Sequence, residues 1–539
     1  MSSPTSMSPA AASEPTPPVR LPVKEAGAAR DPDRNLIFVL LAVALLPRLL
    51  VFPVTDNLYG DAVVRTELAQ QLVDDPRIIS SYASGARQFG PLHLYVTALP
   101  LALGMDRQDA GRLGSLFFGV LSVWPLFLLT RRLFGRTEAI WACAAWALWG
   151  MQIQMSTTAG SEALSTFLVL WAVAFFAQGW EEGRLMPLAG CALMMNLACA
   201  TRYDAWLLLP IFALLLLSQG TDRVASLTRA IFFGLLACPF PLAWMQGNEL
   251  AHGDPFFPIH VIEQYHRDWV GGEAARLGGP IVYRLHNLVF WPAIALLTLS
   301  PLVAILGFKG MRLTWKESVH DRWLVWVLLV PVAFFTFRAA VLMNFAPLAR
   351  FTVGQLALLL PFFGVGLVST IERSSPAARR ALVAATVGLA IAVPLVMGVI
   401  TFRRDDGLAS MVRPVSPITT NPRPVAAVAG YLERELAPKA GTVVFDVAPH
   451  YHDLQLAFYS GLPESRMARV RWGEDFEKRL SEVAPPVAVV TADEGTFLQR
   501  DDVRTKGAEL IWDGVTYRRV EGVGGDDDFQ VWRRADGQG

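Results

Sequence analysis

The feature that most constrains this chain is its succession of apolar runs, each near the ~20 residues that a helix needs to cross a hydrocarbon layer. They fall at 36–54, 113–130, 138–155, 161–178, 186–200, 205–218, 230–246, 288–307, 323–341, 352–369 and 381–401. With 53% of its residues hydrophobic and only 17% charged, a chain of 539 residues is too apolar and too long for one soluble core. Backbone polar groups inside lipid must be satisfied within the segment, which for runs of this length means helices. The expected class is therefore a polytopic α-helical membrane protein with about 11 transmembrane helices.

Positive charge orients these spans. If the apolar run 91–104 crossed, the clusters Arg131, Arg132 and Arg136, and Lys309, Arg312, Lys316 and Arg322, would land outside. The run is short and interrupted by Pro100, so it reads as an interfacial or re-entrant helix. Those clusters then join Lys24, Arg30, Arg34, Arg184, Arg223, Arg229, Arg373, Arg379 and Arg380 on the cytoplasmic side. The N terminus is expected in the cytoplasm, and everything after Thr401 outside. In a bacterium the bilayer would be the plasma or inner membrane. The exported parts are a first loop at 55–112, a short turn at 152–160, a second large loop at 247–287 and a short loop at 338–350. Arg87, Arg202 and Arg350 lie on that side, within or beside apolar sequence, against the charge trend. An exported anionic ligand would account for them.

Residues 1–34 are rich in Ser, Ala and Pro without apolar periodicity, and are expected to be a disordered cytoplasmic tail. Without a small-residue cleavage site, 36–54 reads as a retained span. The transmembrane domain is assigned to 35–401. From 402 to 539 the composition becomes mixed, with β-like runs TVVFD at 442–446 and PVAVV at 486–490 between helical patterns, which implies a small exported α/β domain. His450, His452 and Asp453 in that domain lack a further cysteine or a regular spacing and read as a surface loop; no metal site is expected. Cys143, Cys191, Cys199 and Cys238 all lie in apolar runs and read as small core residues. A formal net charge of zero points to no nucleic-acid partner. The sequence shows no internal repeat, phosphate-binding glycine loop, dinucleotide fingerprint or nucleophile elbow.

The stretch 55–104 carries acid, arginine and histidine beside membrane-depth sequence, a costly placement that usually marks a site. Read as a helix, Asp61, Arg65, Leu68 and Leu72 share one stripe with Val64 beside them. The simpler reading makes Asp61 a helix cap after Gly60, neutralised by Arg65. Glu162 heads a helix after Gly160 and Ser161, where an acid complements the helix dipole as readily as it recognises a sugar. An uncompensated arginine at mid-span costs about 2.5 to 3.5 kcal/mol on insertion scales, so Arg202 needs a ligand or a partner, and Asp204 is the nearest partner in sequence. His93 reads as an interfacial histidine with phosphate contact as the sharper alternative. His252 and Asp254 fit a turn with Gly253 and Pro255, with acceptor contact as the alternative.

Four stretches together resemble multi-span GT-C glycosyltransferases, in particular the family-39 type related to protein O-mannosyltransferases and lipid A aminoarabinose transferases. They are YGDAVVRTELAQQL at 59–72; FGPLHLYV at 89–96 with RLGSLFFGVLSVWPLFLLTRRLFG after it; GSEALSTFLVL at 160–170 with ATRYDAWLLLP at 200–210; and ARFTVGQLALLLPF at 349–362. The resemblance covers roughly 36–370. It implies transfer of a sugar from a polyprenyl-phosphate carrier to an acceptor (glycan, lipid or protein) on the outer face of the bilayer, with no cofactor besides that lipid-linked donor. It also implies that Asp61 is the acid that acts as base or positions the acceptor, and that Arg350 meets the carrier phosphate. Two positions depart from the pattern: Ala62 stands where a second acid often follows the first, and Gly90 where a lysine often precedes the loop-end proline. Arg87 and His93 are possible substitutes for that lysine. Such chemistry needs a carboxylate for the acceptor's proton and cations for the departing phosphate. A secondary transporter and a non-catalytic envelope-assembly scaffold are the alternatives; against the first stand the missing inverted repeat and the gathering of charge at the outer face.

Overall fold

The computed structural model describes residues 33–57, 60–76, 89–219, 222–403, 406–421, 423–436, 441–446, 451–462, 466–469, 486–490, 504–512, 515–524 and 529–535. The expected tail, up to residue 32, lies outside them, as do Arg87 and His450.

The apolar runs are helical. In chain order the helices are α1 (Arg34–Val51), α2 (Gly60–Asp74), α3 (Pro91–Ala102), α4 (Arg107–Leu121), α5 (Val123–Leu133), α6 (Arg136–Leu148), α7 (Gly150–Thr157), α8 (Glu162–Glu182), α9 (Leu185–Cys199), α10 (Leu208–Ser218), α11 (Arg223–Ala237), α12 (Pro239–His252), α13 (Phe257–Arg276), α14 (Pro280–Thr298), α15 (Pro301–Glu317), α16 (Arg322–Thr336), α17 (Val353–Ala357), α18 (Leu360–Glu372) and α19 (Pro376–Phe402). By length and composition, 6 helices among the described residues can cross a membrane, or up to 8 if two pairs bent by 54° (α11 with α12) and 59° (Ala349–Ala357 with α18) each count as one span. The chain is a multi-pass integral membrane protein. The runs at 186–200 and 205–218 and the segment at 91–104 form shorter apolar helices.

Several local expectations need correction, beginning with the runs 230–246 and 352–369, which are divided where α11 meets α12 and where α17 meets α18. The run 138–155 is divided at Trp149, whose extended backbone (φ −69°, ψ 109°) separates α6 from α7. There a Cβ on Gly150 would stand 3.0 Å from Pro394 Cβ. The run 288–307 is divided at Ser300 (φ 72°), because Pro301 removes the helical conformation from the residue before it. The short turn expected at 152–160 is largely α7, a helix with every residue buried. Small residues seal the bundle elsewhere: a Cβ on Gly310 would fall 1.8 Å from Phe362 O, and one on Gly366 1.9 Å from Leu306 O, so the α15 and α18 backbones touch.

Beyond α19 come α20 (Asp406–Val412), α21 (Arg423–Leu436) and α22 (Tyr451–Tyr459), with strands β1 (Val443–Asp446), β2 (Met467–Arg469), β3 (Val487–Val490), β4 (Arg504–Lys506), β5 (Glu509–Trp512), β6 (Val515–Arg519) and β7 (Gln530–Arg534). They form one 7-stranded sheet in the order β2-β1-β3-β7-β6-β5-β4, parallel among β2, β1 and β3 and antiparallel in the remaining pairs. Both β-like runs read from the sequence are strands of this α/β unit. Its buried core joins Val425, Val428 and Leu432 of α21 to Val443, Phe445, Val487 and Val531 of the sheet. His452 and Asp453 do not lie in a surface loop: both are on α22, where Asp453 is buried and His452 Nδ1 lies 3.0 Å from Gln455 Oε1.

Candidate active site

Four chain segments far apart in sequence meet at one place: the first turn of α2, the start of α8, the bend between α9 and α10, and the short 3-10 turn Ala349–Thr352. Asp61 is the second residue of α2, inside the first helical turn and not the cap preceding it. Its Oδ2 accepts a hydrogen bond from Arg350 Nη2 at 2.7 Å. The Asp61 side chain remains 40% exposed, whereas Arg350 is only 12% exposed.

The network runs on from Arg350. Its Nη1 lies 4.0 Å from Glu162 Oε1, and that same oxygen accepts from Arg202 Nη1 at 2.9 Å. Glu162 is buried, although it opens a membrane-length helix. Arg202 has extended backbone (φ −149°, ψ 141°) between α9 and the turn Tyr203–Leu207. Its Nε donates to both carboxylate oxygens of Asp204 at 3.1 Å, and its Nη1 also reaches Ser161 Oγ at 3.2 Å. Arg350 and Arg202 approach the Phe351 ring, with guanidinium carbons 5.4 Å and 5.7 Å from its centroid. The partner expected for Arg202 is thus present, and Glu162 is a second one.

Arg65, one turn along α2 from Asp61, is buried with its guanidinium carbon 4.4 Å from the centroid of the Phe89 ring. Among the described residues its Nε and Nη1 have no hydrogen-bond partner. A buried guanidinium with unused donors is costly unless a nearby anion compensates it. Asp61 and Glu162 supply that field.

Electrostatics follow from this arrangement. Burial alone would raise the Asp61 carboxyl, but the charges of Arg350, Arg65 and Arg202 outweigh it and hold the group below its ordinary value. His93, buried on α3, is pushed down to about 3, first by burial and then by Arg65, so its ring is neutral. Burial, then the Asp61 charge, raises the phenol of Tyr265, an exposed residue of α13.

Gly90 shows why no lysine stands before Pro91. Leu92 donates its N–H to Ala200 O at 3.0 Å, and a Cβ on Gly90 would lie 2.4 Å from both Ala200 O and Thr201 O. This close approach ties the start of α3 to the bend that carries Arg202.

Asp61, Arg350, Glu162, Arg202 and Asp204 are thus brought into one chain of alternating charge, with Arg65 beside it. His252 and Asp254 form a separate group on the second large loop: the His252 ring stacks on Phe257 at 4.0 Å, while Asp254 accepts from Phe256 N at 2.9 Å and pairs with His260 at 2.7 Å. The turn expected from Gly253 is present, with φ 67° at that residue. Among the described residues no group of three or more His, Cys, Asp or Glu is disposed to hold a metal ion.

Residues 88–244 match the model of the dolichyl-phosphate-mannose-protein mannosyltransferase family, a span that includes His93, Glu162, Arg202 and Asp204. The search of curated proteins found no match. Among solved structures the chain is similar to apo ArnT from Cupriavidus metallidurans, at 16% identity and a TM-score of 0.56, over 92% of this chain and 97% of that one. The same protein bound to undecaprenyl phosphate matches at 15% identity and a TM-score of 0.56, over 92% and 98%. The archaeal oligosaccharyltransferase AglB from Archaeoglobus fulgidus, in complex with an inhibitory peptide and a dolichol-phosphate, matches at 11% identity and a TM-score of 0.53, over 85% and 70%. At these identities the likenesses carry the fold.

Proposed function

We propose that this chain, which has the GT-C fold of the mannosyltransferase and ArnT type, transfers a sugar from a polyprenyl-phosphate carrier to an acceptor at the outer face of the membrane. The observation that carries the reading is the contact between Asp61 Oδ2 and Arg350 Nη2, with Glu162 and Arg202 continuing the network. It places a half-open carboxylate beside a guanidinium, the two groups that transfer from a sugar phosphate needs. ArnT has been solved with undecaprenyl phosphate, and AglB with a dolichol-phosphate, which supports a lipid-linked donor.

In the proposed step an acceptor O–H or N–H attacks the anomeric carbon of the donor. The new bond forms as the bond from that carbon to the phosphate oxygen breaks, the electron pair leaves with the carrier phosphate, and Asp61 takes the acceptor's proton. Arg350 meets the phosphate oxygens with its planar fork. Arg65, with its unused donors, adds positive charge where the leaving group gathers negative charge. Arg350 is engaged by Asp61, so a phosphate arriving at Arg350 competes with that carboxylate. As the pair loosens, the Asp61 carboxyl rises from its depressed value and becomes a better proton acceptor at the moment it is required.

The test uses purified protein in lipid with a radiolabelled polyprenyl-phosphate sugar pool. Label should leave the carrier for an added acceptor fraction, and should do so only with Asp61 intact. Retention of all label on the carrier, or release that ignores Asp61, would exclude the reading. The outward orientation rests on the arginine pattern. It is tested by labelling Glu521→Cys with a membrane-impermeant reagent in a background without Cys143, Cys191, Cys199 and Cys238; labelling only after permeabilisation would place the C-terminal domain inside.

A further inference from the structure

The segment that leads into α2 is gripped by the chain that follows the last membrane helix. Asp56 donates its backbone N–H to Thr419 O at 2.7 Å, and its Oδ2 accepts from Asn421 N at 2.9 Å. Thr419 Oγ1 donates back to Asp56 O. Thr419 and Asn421 are buried. The neighbouring Asn57 is 0% exposed, and its polar groups reach three different elements. Its N–H donates to the Tyr459 hydroxyl on α22, its Nδ2 donates to Gln108 O on α4 at 3.1 Å, and its Oδ1 accepts from Ala159 N, just ahead of α8, at 2.9 Å. Arg107 adds a cationic contact, 5.4 Å from the centroid of the Phe458 ring on α22.

Asn57 lies just before Asp61, and Ala159 just before Glu162. One buried side chain therefore joins the approaches to the two carboxylates that engage Arg350, and the Tyr459 hydroxyl of the C-terminal domain holds that residue from the other side. We propose that the C-terminal domain is a positioning element for the reaction: through Tyr459 and Thr419 it fixes the 55–57 segment, and so sets where the Asp61 carboxylate stands relative to Glu162 and Arg350. This rests on the reading of Asp61 as the base. A reacting group displaced by about 1 Å can lose 10²-fold in rate, so a tether this close to Asp61 has leverage that a remote domain contact lacks. None of Tyr459, Thr419 or Asn57 touches the substrate in this account. They act through Asp61.

The experiment compares full-length Tyr459→Phe and Thr419→Val with wild type in lipid, reading kcat, KM for a polyprenyl-phosphate sugar, and melting temperature, each also on the Asp61→Asn background. The proposal expects kcat to fall about 10- to 100-fold, with KM within about twofold, because the donor site stays intact. On the Asp61→Asn background the same substitutions should have little further effect, since no carboxylate remains to be placed. A purely structural contact gives a lowered melting temperature with wild-type kcat, or a loss that repeats in full without Asp61. Either result overturns the proposal while leaving the base reading standing. Wild-type turnover in Asp61→Asn itself would overturn the base reading, and this proposal with it.

Discussion

Arg350 and Asp61, 289 residues apart in the chain, meet at 2.7 Å through Nη2 and Oδ2. The pair joins α2 to the turn ahead of α17, so the site exists only once the membrane bundle between them has assembled.

Asp61→Asn separates chemistry from helix stability. In the first turn of α2 the exchange of charge for amide costs about 0.3 to 1 kcal/mol of dipole interaction, and it also removes the anion that pairs with Arg350 and compensates buried Arg65, so the variant keeps the side-chain shape but loses some stability. If the carboxylate takes a proton, turnover should drop by about 10² to 10⁴. Turnover in reconstituted membranes with matched protein level decides it, and near-normal turnover would return Asp61 to a structural role.

Arg350→Ala should weaken the lipid-linked donor by about 10- to 100-fold, the scale of a lost charge-assisted contact. Arg350→Lys keeps the charge but not the fork, and should lose less. Donor affinity measured on the two variants checks the ranking; wild-type affinity in the alanine variant would remove Arg350 from the phosphate.

The pH profile carries its own test. The folded Asp61 carboxyl lies below its unfolded value, so its ionised form persists as pH falls and is lost only through that depressed value. Arg65→Gln removes one of the charges that hold it down. The acid limb of kcat/KM should therefore move to higher pH in the variant, and an unmoved limb would mean that Asp61 does not govern it.

Gly90→Ala should be nearly as damaging as Gly90→Lys, because the Cβ itself meets Ala200 O and Thr201 O at 2.4 Å. Overpacking of this kind costs about 1 to 3 kcal/mol. Thermal unfolding in detergent checks it. A well-tolerated lysine would show that α3 can draw back from the Arg202 bend.

The membrane class was legible in the long apolar runs and the α/β end domain in its mixed composition and β-like runs, while Arg202 and Arg350 stood out because charge beside apolar sequence is costly enough to leave a mark in one dimension. Glu162 was balanced between helix dipole and ligand, since a first-turn acid looks the same whether it faces water or the guanidiniums of Arg202 and Arg350. Asn57 left no local signal at all: its contacts are with Gln108, Ala159 and Tyr459, none of them near it in sequence. The divisions at Trp149 and Ser300 were hidden for a related reason, as hydropathy reports depth in the membrane and not the backbone angles of single residues.

The glycine seam between α15 and α18 bears on how this chain can drift. At Gly310 and Gly366 even a methyl group would overlap a carbonyl oxygen on the facing helix, at 1.8 and 1.9 Å. Outward-facing positions such as Leu285, 59% exposed, and Leu395, 62% exposed, meet no such limit. Mutational tolerance across the bundle should therefore follow backbone proximity more than hydrophobicity: a saturation library selected for folded protein would accept most apolar exchanges on the outer faces and almost none at the seam, so that two small residues weigh more on this fold than many large ones.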